Sequence, residues 1–312
     1  MPAARTPVAL TPASDATFTA KYVDLYQKAK RLAWDPADVD LSRDRAGWAA
    51  IRRDHAPEQY AEQLERLLAL FHAGEESVTR TLSAYAGAAA RAELGVGAEL
   101  HLAAQLFEEA KHYEFFERYL GEVLGVDAAA LRAAAVPGAP QAVLVDDLEA
   151  VSDRLRREDD PARLPAVLAE GIAHYMGVVE AMLARTGYEG AHAALAARGW
   201  LPGLQEGFRL IRRDEGRHVA FGVHAVRHLV ARDPALAAVV EATFARHLPN
   251  VLATVQAFAG YAHPLVDVDA LVGFAVGAYG QFMAAAGLGP DARAGGAGDD
   301  ADADALAAAL AA

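Results

Sequence analysis

The chain has 312 residues, a formal net charge of −13 and no cysteine. Without cysteine the protein has no disulfide scaffold, thiolate metal cluster or cysteine nucleophile. The excess of 42 Asp and Glu over 29 Lys and Arg argues against a nucleic-acid-binding protein, which needs a basic surface to replace phosphate counterions. A hydrophobic fraction of 54% is typical of a packed soluble protein.

The two ends of the chain differ in composition from its middle. Residues 1–15 carry one arginine and no long apolar stretch, so we expect a flexible lead and not a secretory signal. Residues 16–290 are predicted to form one domain. Residues 291–312 are almost entirely Ala, Asp and Gly and are expected to form a low-complexity acidic tail. We therefore expect a cytoplasmic protein.

Alanine and leucine dominate the middle, and no stretch alternates apolar and polar residues for long enough to form a sheet. This pattern predicts an all-α protein, and helices this long favour a bundle. The polar segment 31–56 is expected to be irregular and to wrap around the outside, and Pro249 predicts a kink or break. The predicted helices cover residues 16–31, 58–94, 98–123, 141–157, 164–187, 203–232, 234–260 and 268–287.

The last predicted helix contains Leu271–Gly289, nineteen residues without a charge. That length reaches the span of a membrane, and a helix that is apolar all round is either buried in a core or inserted in a bilayer. Five glycines and a glutamine interrupt it, and Asp267 and Asp269 precede it. We expect a buried core helix and no transmembrane span.

Acidic residues occupy core positions in three of these helices. In helix 58–94 the apolar stripe runs from Phe71 through Glu75 to Val78 and onward in steps of three or four, whereas Glu76 is nearer the edge. Helix 98–123 places Glu109 and His112 on its apolar face.

Helix 203–232 likewise places Glu215 and His218 on its apolar face. Each Glu and His pair is three residues apart and therefore shares one face.

Buried carboxylates need partners, because an isolated ionised group is costly to remove from water. Salt bridges are one solution, but Lys111, Arg118 and Arg217 lie off these stripes. A pair of divalent metal ions is the other, and it also explains the histidines. A dinuclear site in a helical bundle uses one Glu from each of two helices and a Glu-x-x-His from each of the other two.

The remaining glutamate is expected on helix 164–187, which offers Glu170 and Glu180. Glu75 precedes Glu109 by 34 residues, and Glu180 precedes Glu215 by 35, whereas Glu170 precedes it by 45. Two similar halves of a bundle would give similar spacings between their ligands, so the spacing favours Glu180. The predicted metal ligands are therefore Glu75, Glu109, His112, Glu180, Glu215 and His218.

Oxygen and nitrogen ligands without sulfur suit iron or manganese, and four carboxylates balance two divalent ions. Two adjacent redox ions can bind dioxygen between them and deliver two electrons together. Asp214 is expected to orient a ligand histidine. His224 and His228 have no acidic partner on their face, so we expect them to be solvated or capped.

Several motifs together resemble the small-subunit superfamily of ribonucleotide reductase, and most closely its ligand-binding oxidase branch of ferritin-like Mn/Fe proteins. The resemblance spans residues 22–285. The motifs are GEESVT (Gly74–Thr79), FEEAKH (Phe107–His112), HYMGVVE (His174–Glu180), TGY (Thr186–Tyr188), RDEGRHVAFG (Arg213–Gly222), and WDPADVD (Trp34–Asp40) with its neighbours KAKR and SRDRAGW.

The resemblance implies a ferritin-like helical bundle with additional helices around a four-helix metal-binding core. It implies one manganese and one iron ion, with di-iron as a possibility, held by the six predicted ligands. It further implies a long-chain fatty-acid-like ligand, a homodimer, and dioxygen activation for two-electron C–H oxidation. In that branch an ether crosslink joins a valine to a tyrosine, which here are Val78 and Tyr175.

A radical-generating small subunit of a Mn/Fe ribonucleotide reductase is the alternative. Many such subunits carry a tyrosine four residues after the first motif's histidine, where this chain has Phe116, although the Mn/Fe type also has phenylalanine there. They also dock through a tail with a late tyrosine, and the last tyrosine here is Tyr279. The tail disfavours this alternative.

Overall fold

The computed structural model describes residues 16–127 and 139–288, together with the single residue 305. Within these residues every regular element is a helix, which confirms the predicted all-α class. The lead at 1–15 lies outside the described residues, and so does the tail at 291–312 apart from residue 305.

Ten α-helices follow one another along the described chain. A π-helical segment, Ala173–Ala184, joins the sixth to the seventh without interruption, and short helical turns occupy Pro36–Asp38, Leu120–Leu124 and Ala257–Gly260. In order, the helices are α1 (Ala16–Arg31), α2 (Asp44–Asp54), α3 (Tyr60–Arg91), α4 (Val96–Tyr119), α5 (Pro140–Arg157), α6 (Leu164–Ile172), α7 (Arg185–Arg198), α8 (Pro202–Arg232), α9 (Leu236–Gln256) and α10 (Val268–Ala285).

The segment 31–56 is more ordered than its composition predicts, because it contains α2. Asp44 at the start of α2 is completely buried, and its carboxylate accepts hydrogen bonds from the backbone N–H of Gly203 at 2.9 Å and of Leu204 at 2.8 Å. A carboxylate at a helix N-terminus satisfies free N–H groups and interacts favourably with the helix dipole. The prediction of an irregular segment was wrong here, since α2 fixes the beginning of α8.

Two further boundaries differ from the prediction. The helix expected to end at residue 187 continues through the π-helical segment to Arg198. Helix α9 runs without interruption across Pro249, so the predicted break does not occur. Local sequence signals did not reveal the continuation beyond residue 187, whereas the predicted helix 234–260 already included Pro249.

The apolar core consists of two clusters, and the acidic residues singled out above lie between them. On α3, α4 and α8 the chain passes from one cluster to the other through a glutamate, and on the helical stretch that contains Glu180 it does so a few residues after the glutamate. The flanking residues are Phe71 and Val78 around Glu75, Phe116 and Leu102 around Glu109, Tyr188 and Val178 around Glu180, and Ile211 and Val219 around Glu215.

Helix α10 is less buried than expected. Two described helical stretches are long and apolar enough to cross a membrane by length and composition, Leu164–Arg198 and Val268–Ala285, and their most apolar windows are 72% and 28% buried inside the protein. Leu271 and Phe282 of α10 face the core, whereas Val276 is 45% exposed. The prediction of a fully buried helix was therefore wrong for one face.

Replacing either of two glycines in long helices by alanine should change the free energy of unfolding in opposite directions. A Cβ at Gly222 of α8 would lie 2.4 Å from the Cβ of Met176, whereas a Cβ at Gly273 of α10 would meet no atom within 4 Å. We expect Gly222→Ala to lower the free energy of unfolding by about 1–3 kcal/mol. Gly273→Ala should raise it by about 0.5–1 kcal/mol, because alanine loses less backbone entropy than glycine.

Urea unfolding of the two metal-free variants beside the wild type measures both changes. Equal effects of the two substitutions would contradict the close approach of α8 to the π-helical segment.

Candidate metal centre

The six predicted ligands converge in the middle of the bundle, and each is at most 6% exposed. A first group combines Glu75 of α3, Glu109 and His112 of α4, and Glu215 of α8, with one ligand atom from each residue within 4.8 Å of the others. The Nδ1 atom of His112 lies 3.4 Å from an oxygen of Glu109, 3.4 Å from one of Glu215 and 3.6 Å from one of Glu75.

A second group lies beside the first and shares Glu109 with it. It combines Glu109, Glu180 of the π-helical segment and His218 of α8. The Nδ1 atom of His218 lies 3.1 Å from Glu109 Oε1 and 3.3 Å from Glu180 Oε1. The second oxygen of Glu215 lies 3.7 Å from the same nitrogen. Glu109 and Glu215 are thus placed between the two groups.

Both histidines turn their Nδ1 atoms toward this cluster. The Nε2–H of His112 faces Asp214 Oδ2 at 3.3 Å, and the Nε2–H of His218 faces Glu108 Oε2 at 2.9 Å. Because carboxylates accept these hydrogens, both Nδ1 atoms point into the cluster. Against the effect of burial, Glu75 raises the pKa of His112 and Glu109 raises that of His218 well above the usual range, so each Nδ1 holds a proton that a metal ion would displace. Two groups of buried carboxylate oxygens and imidazole nitrogens, each held together only by such protons in the metal-free chain, offer the donor atoms that a pair of metal ions requires.

Glu170, the alternative to Glu180 as a ligand, lies away from the cluster, and so do the salt bridges that were the alternative to metal ions. Glu170 is paired with Arg154 at 2.8 Å and with Arg246 at 3.1 Å, away from both groups. Lys111 contacts Asp214 at 3.0 Å and does not reach the four central glutamates. The chain therefore brings no Lys or Arg of the described residues into the cluster to neutralise it.

The buried carboxyl groups are strongly perturbed. Burial raises the pKa of Glu75 to about 7, against the attraction of His112. Burial, with repulsion from Glu215, raises the pKa of Glu180 well above its usual range. Burial works in the same direction on Glu109, but His218 and His112 prevail and lower its pKa. Cations that bind here must therefore displace protons.

A second layer of charges holds the two imidazoles. Asp214 accepts hydrogen bonds from Trp34 Nε1 at 2.7 Å, from Lys111 Nζ at 3.0 Å and from Arg217 Nη2 at 2.6 Å. Arg217 also donates to Glu108, which in turn accepts from His218. The expectation for Asp214 agrees with its place beside His112. Such outer partners orient metal-binding histidines.

An apolar cavity reaches the cluster from one side. Its wall includes all four central glutamates, together with Val78 and Tyr188, and the rest of the wall is mainly aliphatic and aromatic. The Tyr188 hydroxyl donates to Glu75 Oε1 at 2.5 Å, and the Tyr175 hydroxyl donates to Glu109 Oε1 at 2.7 Å. From α10 only Leu271 lines this cavity.

Residues 18–268 match the family described as ribonucleotide reductase, small chain. The chain belongs to this family. Solved structures of R2-like ligand-binding oxidase variants are similar over 85% of this chain and 92% of theirs, at 26% identity. One has an anaerobically reconstituted Mn/Fe cofactor and a TM-score of 0.75. A second has a non-activated Mn/Mn cofactor (0.74), and a third an aerobically reconstituted Mn/Fe cofactor (0.73).

Sequence reasoning missed several buried residues at or beyond the edge of the candidate metal centre. Glu108 precedes Glu109, but its contact with His218 crosses from α4 to α8 and has no local signal. Trp34 reaches Asp214 from a segment expected to be irregular. His224 and His228 were predicted to be solvated or capped, and they are instead 1% exposed.

Metal binding should release protons. Because Glu75 and Glu180 hold protons more tightly than exposed carboxyl groups, we expect anaerobic loading with Mn²⁺ and Fe²⁺ near pH 6.5, below the pKa of Glu75, to release them. Metal affinity should then fall as the pH drops below about 7, the pKa of Glu75. Titration calorimetry in two buffers of different ionisation enthalpy counts the protons.

Glu75→Gln should lower both metal affinity and proton release. Glu170→Gln is the matched control, because Glu170 is paired with arginines and should change neither. Binding without proton release, or equal effects of the two variants, would contradict the metal assignment.

Proposed function

We propose that this chain is a dinuclear Mn/Fe oxidase that activates dioxygen for the two-electron oxidation of an unreactive C–H bond. The observation that carries the proposal is the pair of ligand groups, which share Glu109 at the inner end of an apolar cavity. Storage proteins bind many ions, whereas this arrangement offers ligands for two. The family membership and the Mn/Fe cofactors of similar structures support the choice of metals.

The proposed ligands divide between the two ions. Glu75 and His112 would hold one ion, Glu180 and His218 would hold the other, and Glu109 and Glu215 would contact both. When bound, the two ions supply the reduction of dioxygen. Di-iron loading uses the same ligand types, because manganese and iron accept similar oxygen and nitrogen donors.

The chain's own residues prepare a C–H and an O–H bond for oxidation. Tyr175 is completely buried, and its hydroxyl already donates to Glu109, so its proton can move to that carboxylate. Burial, with the negative charge of Glu109, raises the pKa of Tyr175 well above its usual range, so the phenol keeps its proton until it is oxidised. Val78 lines the apolar cavity, whose wall also includes Glu109.

Residue spacing in the similar oxidase supports these roles. Its solved variants replace a glycine, a valine four residues later, and two tyrosines thirteen residues apart. In this chain Gly74 and Val78 are four residues apart, and Tyr175 and Tyr188 are thirteen apart. We infer that Val78 and Tyr175 are the two partners of an ether crosslink.

The cavity favours a ligand with a carboxylate head and a long apolar tail. Its inner end presents the glutamates that would hold cations, and a carboxylate is a natural additional ligand for such ions. Its outer wall is formed by apolar side chains that include Leu67, Leu70, Leu144, Val179 and Phe258. We therefore propose a long-chain fatty acid as the bound small molecule.

The first test of this function is the crosslink. After anaerobic loading with both metals and exposure to air, we expect one hydrogen to leave Val78 and one to leave Tyr175. Peptide mass spectrometry should then find the two peptides joined, with a mass lower by two hydrogens than their sum. Tyr175→Phe, which keeps the ring but removes the phenol, should abolish the joined peptide. Separate peptides from fully loaded, oxygen-exposed wild type would contradict the proposal.

The second test concerns the ligand. Gly74 lines the cavity, and a Cβ there would meet no atom within 4 Å, so the side chain of Gly74→Leu would enter the cavity. We expect at least about a tenfold loss of bound fatty acid, since a filled pocket loses most of its apolar contact area with the tail. Lipid extraction with mass spectrometry measures the content.

Gly273→Leu is the matched control, because that helical glycine also has open space around its Cβ but lies away from the cavity. Equal fatty-acid content in both variants would contradict the assigned pocket.

The homodimer and the cytoplasmic location remain predictions. Light scattering after size exclusion and fractionation of expressing cells test them.

A further inference from the structure

His101 of α4 is a completely buried imidazole that the proposed oxidation does not use. Its ring stacks on Phe221 of α8 with 4.6 Å between the ring centroids and 19° between the planes. Within the described chain neither of its two ring nitrogens has a hydrogen-bond partner. Buried polar atoms are rarely left in this state, and internal water molecules commonly satisfy them.

Gln105 lies one helical turn further along the same face of α4. Its Nε2 donates to Glu180 Oε1 at 3.0 Å, and its Oε1 has no partner in the described chain. Gln105 is also completely buried, and neither it nor His101 contributes to the wall of the apolar cavity. Unsatisfied polar atoms therefore extend from a proposed metal ligand along α4, separately from the proposed ligand pocket.

Buried polar side chains continue this line toward α1. His224 and His228 follow Phe221 on α8 and are each 1% exposed. The Nδ1 atom of His228 lies 3.2 Å from the Tyr22 hydroxyl, within hydrogen-bond distance. The His228 ring also stacks on Phe18 of α1, with 4.5 Å between the ring centroids. Phe18 is only partly buried. The row of polar side chains thus ends beside a surface helix.

We propose that His101 and Gln105 bind a short chain of buried water molecules that leads protons from the α1 side of the bundle to Glu180. A neutral imidazole accepts a hydrogen bond at one nitrogen and donates at the other, so it can pass a proton between two waters without a lasting change of charge. The amide of Gln105 cannot itself ionise, and its role is to hold the inner water beside Glu180.

The proposed oxidation requires a supply of protons from solvent. Reduction of one dioxygen to two waters consumes four electrons and four protons. The Val78 and Tyr175 hydrogens provide two of each, and the bound metal pair provides the other two electrons. The remaining two protons must come from solvent, yet the ligands are buried among apolar residues. The use of the water chain rests on the proposed function, whereas the water site itself does not.

High-resolution crystal structures of the metal-free protein test the site directly. We expect ordered water within 3.2 Å, a hydrogen-bond distance, of a ring nitrogen of His101 and of Gln105 Oε1. His101→Phe preserves the aromatic stack on Phe221 and should lose the water beside residue 101. Well-ordered rings without adjacent water in the wild type would overturn the proposal.

Stopped-flow oxidation of the Mn- and Fe-loaded protein tests the proton route. We expect His101→Phe to slow the reaction by about a hundredfold, the lower end of what a positioned proton donor contributes, at unchanged metal content. The wild-type rate should fall in D₂O. His247→Phe is the control, because it replaces a buried histidine outside the row and should keep the wild-type rate.

Oxidation of His101→Phe at the wild-type rate would overturn the route. A wild type that never reacts with dioxygen would instead refute the proposed function, and the metal-free crystal structures would still decide the water site.

Discussion

The structure depends on four carboxylates and two imidazoles that face one another inside an apolar core. Removing even one ionised carboxylate from water costs several kcal/mol unless it is paired. Here the nearest basic side chains, Lys111 and Arg217, are already engaged by Asp214 and Glu108. Positive charge among His112, His218 and the glutamates offsets this cost, either as protons in the metal-free chain or as bound metal ions. The same burial raises the pKa of Glu75 and of Glu180 when the cations are absent.

The rest of the fold holds these ligands in position. The glutamates form a polar layer between two apolar clusters, so packing on both sides fixes the heights of the helices relative to one another. Glu180 comes from a π-helical segment, a form that is frequent at functional sites because it changes the direction of the side chains that follow. Arg217 contacts the outer carboxylates of both histidines, which ties the two halves of the site together.

The amino-acid sequence predicts much of this arrangement, because a glutamate inside an apolar helical stripe reveals both its helix and its face. Glu75, Glu109 and Glu215 follow from that periodicity, and Glu180 follows from the similarity of the two halves. Contacts between distant segments have no such local signal. For this reason α2, the Trp34 contact with Asp214 and the pairing of Glu108 with His218 were not predicted. Helix α10 shows a further limit, since composition gives its apolarity but not which neighbours cover it.

The central claim is that two metal ions occupy the space enclosed by these six side chains. X-ray diffraction from crystals loaded with manganese and iron, recorded on both sides of each metal's absorption edge, tests it most directly. The account predicts two anomalous peaks per chain, one bound by Glu75 and His112 and the other by Glu180 and His218, with Glu109 and Glu215 in contact with both. A single peak, or peaks only at surface carboxylates while the buried cluster holds none, would contradict it.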